Sequence, residues 1–317
     1  MRGKKIFQEM QPMQLKRTEI VALANQKGGC GKTTTAVSLA AGLSYLGYNA
    51  CLVDVDSQCN ATDSFGVERD DLHREGKFTV ADAYLKKKPA SEILYDFGER
   101  FSGHLSLIPG HRGLGSVSAR LEAELQATVT NDNYSELDAD DIKNEHRLRL
   151  KNSLESLRGH IDVVIIDTPP ELGFLMTSSL IAADSYIIPV FPSGYDLKGL
   201  ETLTRTVDKV QKRFNPKLKL LGVVVGNYDT RAKLDADVLG LLVRKFGQDL
   251  VFPMVINRSV RHREATVYGT TIFEHAPGES AAEQYAALSR ELVSRLEATQ
   301  NAPAQTHVEL MEANRRG

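Results

Sequence analysis

Three short stretches of this chain hold the residue types that could do chemistry. The first is Gln26-Lys27-Gly28-Gly29-Cys30-Gly31-Lys32-Thr33-Thr34. Gly28, Gly29 and Gly31 allow backbone N–H groups to close around phosphate oxygens without Cβ clashes. Lys32 adds a positive charge for the outer phosphates, and the Thr33 hydroxyl is placed to ligate Mg²⁺. The second stretch, Asp54-Val55-Asp56-Ser57-Gln58-Cys59-Asn60-Ala61-Thr62, sets two acids directly after an apolar run. The third, Ile161-Asp162-Val163-Val164-Ile165-Ile166-Asp167-Thr168-Pro169-Pro170, is an apolar run that ends in Asp167. An acid at that place holds the water shell of a metal ion in nucleotide hydrolases. The chemistry these stretches imply is Mg²⁺-dependent phosphoryl transfer from a nucleotide to water.

Such a site needs a strand before the glycine loop and a helix after it, so that the helix aims its N-terminal N–H groups at the anion. Both are predicted: a strand over about 19–25, then a helix over about 32–46 with Ala36, Leu39, Ala40, Leu43 and Leu46 on one face and Gly47 as its C-cap. Residues 50–54 read as a parallel strand buried on both faces, which puts Asp54 and Asp56 at its carboxyl end, where open α/β sheets bind ligands. Further strands are expected over 104–110, 161–167, 185–190, 218–226 and 250–255. Helices are expected over 79–87, 114–127, 145–158, 198–214, 234–246 and 280–297. This alternation, without a linker, predicts one α/β domain over 19–298: a doubly wound, mostly parallel sheet flanked by helices. Residues 1–18 read as a flexible N-terminal extension and 299–317 as a flexible tail. The acid-rich stretch 128–143 has too few apolar residues to anchor a core and reads as a surface insertion or flexible loop. The cluster Lys86-Lys87-Lys88 reads as a solvated helix end.

Composition excludes several classes. Hydrophobic residues at 42% and charged residues at 25% of 317 describe an ordinary globular chain. No apolar run approaches the roughly 18 residues of a membrane span, and Met1-Arg2-Gly3-Lys4-Lys5 is not followed by the apolar segment of a secretion signal. Cys30, Cys51 and Cys59 lack metal-ligand spacing, an odd set that points to a reducing cytoplasm. No pair among the eight histidines has the i, i+4 spacing of a zinc site, and no serine sits in G-x-S-x-G. With a net charge of −2, any nucleic-acid contact must come from a local basic patch.

The form of the glycine loop is specific. The spacing G-x-x-x-x-G-K-[ST] has a glycine where this chain has Asn25, and a second lysine, Lys27, heads K-G-G-C-G-K-T-T. This resembles the deviant Walker A motif of the ParA/MinD family of ATPases. Asp54–Thr62 resembles that family's D-x-D-P-Q-x-N-A-T, with Ser57 in place of proline, and Ile165-Ile166-Asp167-Thr168-Pro169-Pro170-Glu171-Leu172-Gly173 resembles its I-I-D-x-P-P-x-L-G. The resemblance, over roughly 19–298, implies a P-loop ATPase using ATP and Mg²⁺. It implies that Lys27, Gly28, Gly29, Cys30, Gly31, Lys32, Thr33 and Thr34 hold the phosphates. Thr33, Asp56 and Asp167 would then serve the metal, with Asp54 supporting its shell and Asp56 near the attacking water. Asn227, Asn257 and Arg258 would contribute toward the base. Lys27 is expected to reach the partner's ATP in an ATP-dependent homodimer, where its charge lowers the barrier electrostatically.

In the ParA branch that dimer binds double-stranded DNA without sequence preference, and a ParB-like or cargo-adaptor protein stimulates hydrolysis. Tyr228-Asp229-Thr230-Arg231-Ala232-Lys233 and Asn257-Arg258-Ser259-Val260-Arg261 resemble the family's DNA-contact segments. They nominate Arg231 and Arg261, with Arg258 and Arg263 as neighbours. The expected place is cytoplasmic, on the nucleoid when ATP is bound. The tail 301–317 lacks a basic amphipathic stripe, so a membrane partner is not expected, and the absence of cysteines after Cys59 removes the iron-protein branch. A switch of the same family that acts on protein partners without DNA is the alternative.

Overall fold

A computed structural model of the chain describes residues 6–7, 15–68, 72, 74–101, 104–129, 136–192 and 197–301. Its strands are short apolar runs: β1 (Glu19–Leu23), β2 (Ala50–Asp54), β3 (Tyr95–Asp96), β4 (Leu105–Ile108), β5 (Val163–Asp167), β6 (Ser185–Val190), β7 (Lys219–Tyr228) and β8 (Val251–Asn257). Every residue of β1, β2 and β5 is buried, as strands covered by helices on both faces must be. The strands form one sheet in the order β3-β4-β2-β5-β1-β6-β7-β8. All neighbours run parallel except the two-residue edge strand β3, which is antiparallel to β4. In register, Leu23 of β1 and Asp54 of β2 both stand beside Asp167 of β5. The glycine loop and both acid stretches therefore leave the sheet side by side.

The helices are α1 (Lys32–Tyr45), α2 (Asn60–Asp63), α3 (Val80–Leu85), α4 (Val117–Val129), α5 (Glu136–Leu154), α6 (Phe174–Ala182), α7 (Leu197–Arg213), α8 (Lys233–Phe246), α9 (Arg261–Val267), α10 (Ile272–His275) and α11 (Ser280–Asn301). Alternate residues of β1 face opposite cores: Val21 and Leu23 meet the α1, α10 and α11 side, Ile20 and Ala22 the α3 to α8 side. Helix α1 is buried from Thr35 through Ser44, a fuller burial than the single apolar face read from the sequence. It lies between the sheet and α11, so close that a Cβ on Gly42 would stand 2.1 Å from Ser289 Oγ.

The structure corrects two readings. Helix α5 begins at Glu136, so the second half of the stretch read as an insertion or loop is helical; residues 130–135 lie outside the described residues. Acids suit the first turns of a helix, and the later turns are anchored by Arg149. That buried side chain donates to Glu124 at 2.7 Å, Glu145 at 3.1 Å and the Tyr84 carbonyl at 2.7 Å. In the N-terminal extension, Phe7 is not free. It is 5% exposed, stacked on Tyr45 at 5.3 Å and edge-on to Phe273 at 5.1 Å. The lysine cluster is solvated and ion-paired, with Lys86 to Asp82 at 2.8 Å and Lys87 to Glu145 at 2.9 Å. No helix among the described residues is long and apolar enough to cross a membrane. The tail beyond Asn301 lies outside them.

Candidate nucleotide site

The loop between β1 and α1 is arched by its own side chains. Asn25, standing where the common spacing has glycine, donates from Nδ2 to the Pro189 carbonyl at 2.7 Å and accepts the Lys27 N–H at 3.1 Å. It ties the base of the loop to β6, which a glycine could not do. Lys32 is 6% exposed, and its ammonium donates to the carbonyls of Asn25 and Lys27, each at 3.1 Å. Gly29 and Gly31 have φ of +69° and +87°, left-handed values that favour glycine. A Cβ on Gly31 would also stand 2.6 Å from the Phe191 ring. Cys30 lies under the arch, and burial pushes its thiol up despite the nearby Lys32 charge, so it is no nucleophile.

Asp167 stands near Thr33. Asp167 is fully buried, and neither carboxylate oxygen has a hydrogen-bond partner. Burial and then the Asp54 charge push its pKa well up. The Thr33 hydroxyl and the Lys32 charge pull the other way, but Thr33 does not reach hydrogen-bonding geometry. An orphaned carboxylate facing a threonine hydroxyl is a hard oxygen set that fits Mg²⁺ with its waters. No three-carboxylate cage accompanies it among the described residues, and a P-loop metal, held by one hydroxyl, waters and phosphates, needs none. Asp56 is 9% exposed, and its Oδ1 accepts the Gln58 N–H at 2.9 Å, which leaves Oδ2 for water.

Asp54, expected to support the metal shell, has both carboxylate oxygens taken by hydrogen bonds within its own segment. Its Oδ1 accepts the Asp56 N–H at 3.2 Å, and its Oδ2 accepts the N–H and hydroxyl of Thr62 at 2.8 and 2.6 Å. Thr62 Oγ1 in turn accepts the Gly110 N–H at 2.8 Å. Asp54 therefore folds the segment that carries Asp56. Burial raises its pKa to about 6 although the Thr62 bonds lower it.

From Thr33 and Thr34 a cavity of about 390 Å³ runs to Asn227, Asn257 and His262. Asn227 has φ of +51°, a left-handed value that asparagine tolerates. Arg258, expected toward the base, does not line the cavity, whereas Arg263 does. The Arg258 N–H donates to the Tyr228 carbonyl at 3.0 Å, so the segments after β7 and β8 leave the sheet together. Arg258 and Arg263 are exposed. The Arg231 side chain is 89% exposed and pairs with Asp229 at 3.2 Å; Arg261 pairs with Glu264 at 2.9 Å and Glu279 at 3.5 Å.

A family model described as an AAA domain matches residues 18–220. The sporulation initiation inhibitor protein Soj of Bacillus subtilis is 36% identical over 276 residues, 87% of this chain and 98% of Soj. The chromosome partitioning protein ParA of Myxococcus xanthus is 34% identical over 276 residues, 87% of this chain and 88% of that protein. The chain belongs to the ParA/Soj family. Among solved structures, cobyrinic acid a,c-diamide synthase of Mycobacterium smegmatis with an ATP analogue and magnesium superposes with a TM-score of 0.69. It is 29% identical, covering 91% of this chain and 100% of that one. This ParA/Soj-family chain is a P-loop ATPase whose cofactors are ATP and Mg²⁺. Sequence reasoning missed Phe191, Thr62, Gly110 and His262 at its site. Only Thr62 carried a signal, as the last residue of the second acid stretch.

Proposed function

We propose that ATP joins two copies of this chain into a dimer that binds duplex DNA without sequence preference. In this reading the dimer partitions or positions a cargo, and a ParB-like or adaptor protein stimulates hydrolysis. Lys32 and the loop N–H groups hold the phosphates of ATP, Thr33 and Asp167 serve Mg²⁺, and Asp56 orients the attacking water. Mg²⁺, when bound, neutralises charge that builds on the phosphate oxygens. Lys27 adds a second ammonium from the partner subunit, which stabilises the same charge. Relatives named for chromosome partitioning support the reading. The observation that carries it is the paired exit of the segments after β7 and β8, marked by the Arg258-to-Tyr228 bond at 3.0 Å. That bond supports reading Arg231 after β7 and Arg258, Arg261 and Arg263 after β8 as parts of one patch, of which Arg263 lines the cavity. Doubled in a dimer, such a patch neutralises enough phosphates for salt-sensitive binding.

A second reading has a specific observation behind it. Arg231 and Arg261 already face carboxylates, and the same segment exposes Val260, Val267 and Tyr268 at 66, 76 and 70%. Charge already paired and apolar surface suit a protein partner better than a duplex. An electrophoretic shift with generic duplex DNA, with and without ATP, separates the two. ATP-dependent binding that weakens steeply with salt and is lost in Arg231→Glu and Arg261→Glu, with ATP affinity kept, supports the DNA reading. No shift in ATP for wild type moves the assignment to the DNA-free switch.

A further inference from the structure

A second cavity, of about 670 Å³, opens between the start of α3 and the segment after β4 and shares no lining residue with the nucleotide cavity. Its walls are fixed by backbone bonds. The Val80 N–H of α3 donates to the Pro109 carbonyl at 2.9 Å, and the next residue, Gly110, donates its N–H to Thr62 Oγ1 at 2.8 Å. The charge of the cavity is one-sided. Lys77, Lys86, Arg112 and Arg120 line it, and Asp82 is the one carboxylate among the described lining residues. Asp82 is already engaged, since Oδ2 accepts the Thr79 N–H at 2.8 Å and Oδ1 pairs with Lys86 at 2.8 Å. Lys77 pairs with Glu75 at 2.8 Å. Arg112 and Arg120 have no acid partner among the described residues. Arg120 stands in the first turn of α4, which holds no acid, and a positive charge there opposes the helix dipole. The helix alone therefore gives no reason for it. His111 adds a neutral donor. Its Nδ1 accepts the Gly113 N–H at 2.9 Å, so the uncharged ring carries its proton on Nε2. A Cβ on Gly113 would stand 2.7 Å from that Nδ1, so the turn depends on glycine.

We propose that this cavity is a second anion site, separate from the phosphate loop, for a small molecule that carries two or more phosphate groups. The chain as a whole has a net charge of −2, so the local excess of cations answers to an anionic occupant. Two guanidinium forks suit the paired oxygens of phosphates, and Lys77 and Lys86 add point charges at the rim. The Phe78 face is covered by the ammonium groups of Lys88 at 4.5 Å and Lys86 at 5.7 Å, so recognition rests on the phosphates and not on a stacked ring. The site is close to the hydrolytic segment. Gly110, next to His111, holds Thr62, and Thr62 holds Asp54 at 2.6 Å. A bound anion therefore steadies the 110–116 turn against which that segment rests.

The test uses the full chain saturated with ADP and Mg²⁺, so that the phosphate loop is filled, and titrates inorganic pyrophosphate by calorimetry. Wild type is expected to bind it. Arg112→Gln and Arg120→Gln should each weaken that binding about tenfold and leave ADP affinity unchanged. Hydrogen exchange over 110–116 should slow with pyrophosphate in wild type and stay the same in the double variant. Pyrophosphate that does not bind the ADP-loaded protein, or that binds both variants as it binds wild type, overturns the inference. A hexaglutamate peptide that binds as tightly and is lost in the same variants shows a cationic surface without selectivity for phosphate, and overturns it too. Duplex DNA affinity that falls in these variants, with no pyrophosphate bound by wild type, assigns the arginines to a DNA-facing surface and also overturns it.

Discussion

Thr62→Val is the sharpest probe of how the hydrolytic segment is held. The change is close to isosteric, yet it removes the hydroxyl that donates to Asp54 Oδ2 at 2.6 Å and accepts the Gly110 N–H at 2.8 Å. Both partners are buried, so neither recovers its bond from water. Losing a bond to a carboxylate and orphaning a backbone N–H together cost about 3 kcal/mol, a large share of a domain's stability. Urea unfolding followed by circular dichroism should show that loss as a lower midpoint with an unchanged slope. Thr62→Ser, which keeps the hydroxyl, should stay within about 1 kcal/mol of wild type. The pH dependence has a definite sign. The folded pKa of Asp54, about 6, lies above its ordinary value. Stability from this group is therefore complete at acid pH and lost as pH rises through about 6. Without the Thr62 hydroxyl the folded value rises further, so the variant's deficit is widest at pH 8 and narrows toward pH 5. ATPase activity should fall as well, since Asp56 rides on the same segment. A Thr62→Val protein with wild-type stability and wild-type turnover would refute this account of Asp54.

Asp56→Ala should bind ATP and remain a dimer on size exclusion while turnover is lost; turnover at the wild-type rate would pass the water to another group. Burial lowers the His262 pKa to about 4, so the unfolded chain takes up a proton first and stability is lost as pH falls from about 6.5 toward 4. At pH 5 that amounts to about 2 kcal/mol, and His262→Leu should be correspondingly less acid-sensitive between pH 7 and pH 5; equal sensitivity in the two proteins removes the claim. Arg100→Ala should leave nucleotide affinity within about threefold of wild type while raising hydrogen exchange in both the 60–66 and 261–275 segments; protection that falls in one segment alone contradicts the clamp described below.

The places of the glycine loop, Asp56 and Asp167 at the ends of β1, β2 and β5 are legible because each depends on its immediate neighbours: a strand, a turn and a helix start written in consecutive residues. The parallel sheet was legible for the same reason, since strands buried on both faces are apolar throughout. What escaped depends on contacts between distant residues. Asn25 reads as a departure from the common loop spacing, and only the Pro189 carbonyl, on a strand 164 positions away, gives it a purpose. His262 gave no periodic or spacing signal, because its environment is supplied by Tyr285 on α11. The strand end that Asp54 shares with Asp56 gives no hint of its hydrogen bonds. The fold instead spends both of its oxygens on Asp56 and Thr62. Helix α5 escaped in part because its first turns bear acids suited to a helix start as well as to a loop.

Another long-range contact ties the segment after α2 to the segment after α9. Gly66, just after α2, and Gly269, just after α9, have φ of +71° and +60°, and a Cβ on Gly269 would stand 2.6 Å from the Gly66 Cα. The two backbones touch with no side chain between them. Arg100 locks the contact: it donates to the carbonyls of Phe65 at 2.7 Å and Gly269 at 2.8 Å, and it pairs with Glu274 at 2.8 Å. Ser64 and Thr266 hydroxyls add a contact at 3.5 Å. Close-packed backbone has no slack to absorb a displacement. The segment from Asp54 to Gly66 is thus packed directly against the end of α9, the helix that bears Arg261, His262 and Arg263. Through these contacts the segment that carries Asp56 and the segment that carries Arg261, His262 and Arg263 are joined, and Arg100 is the side chain that joins them.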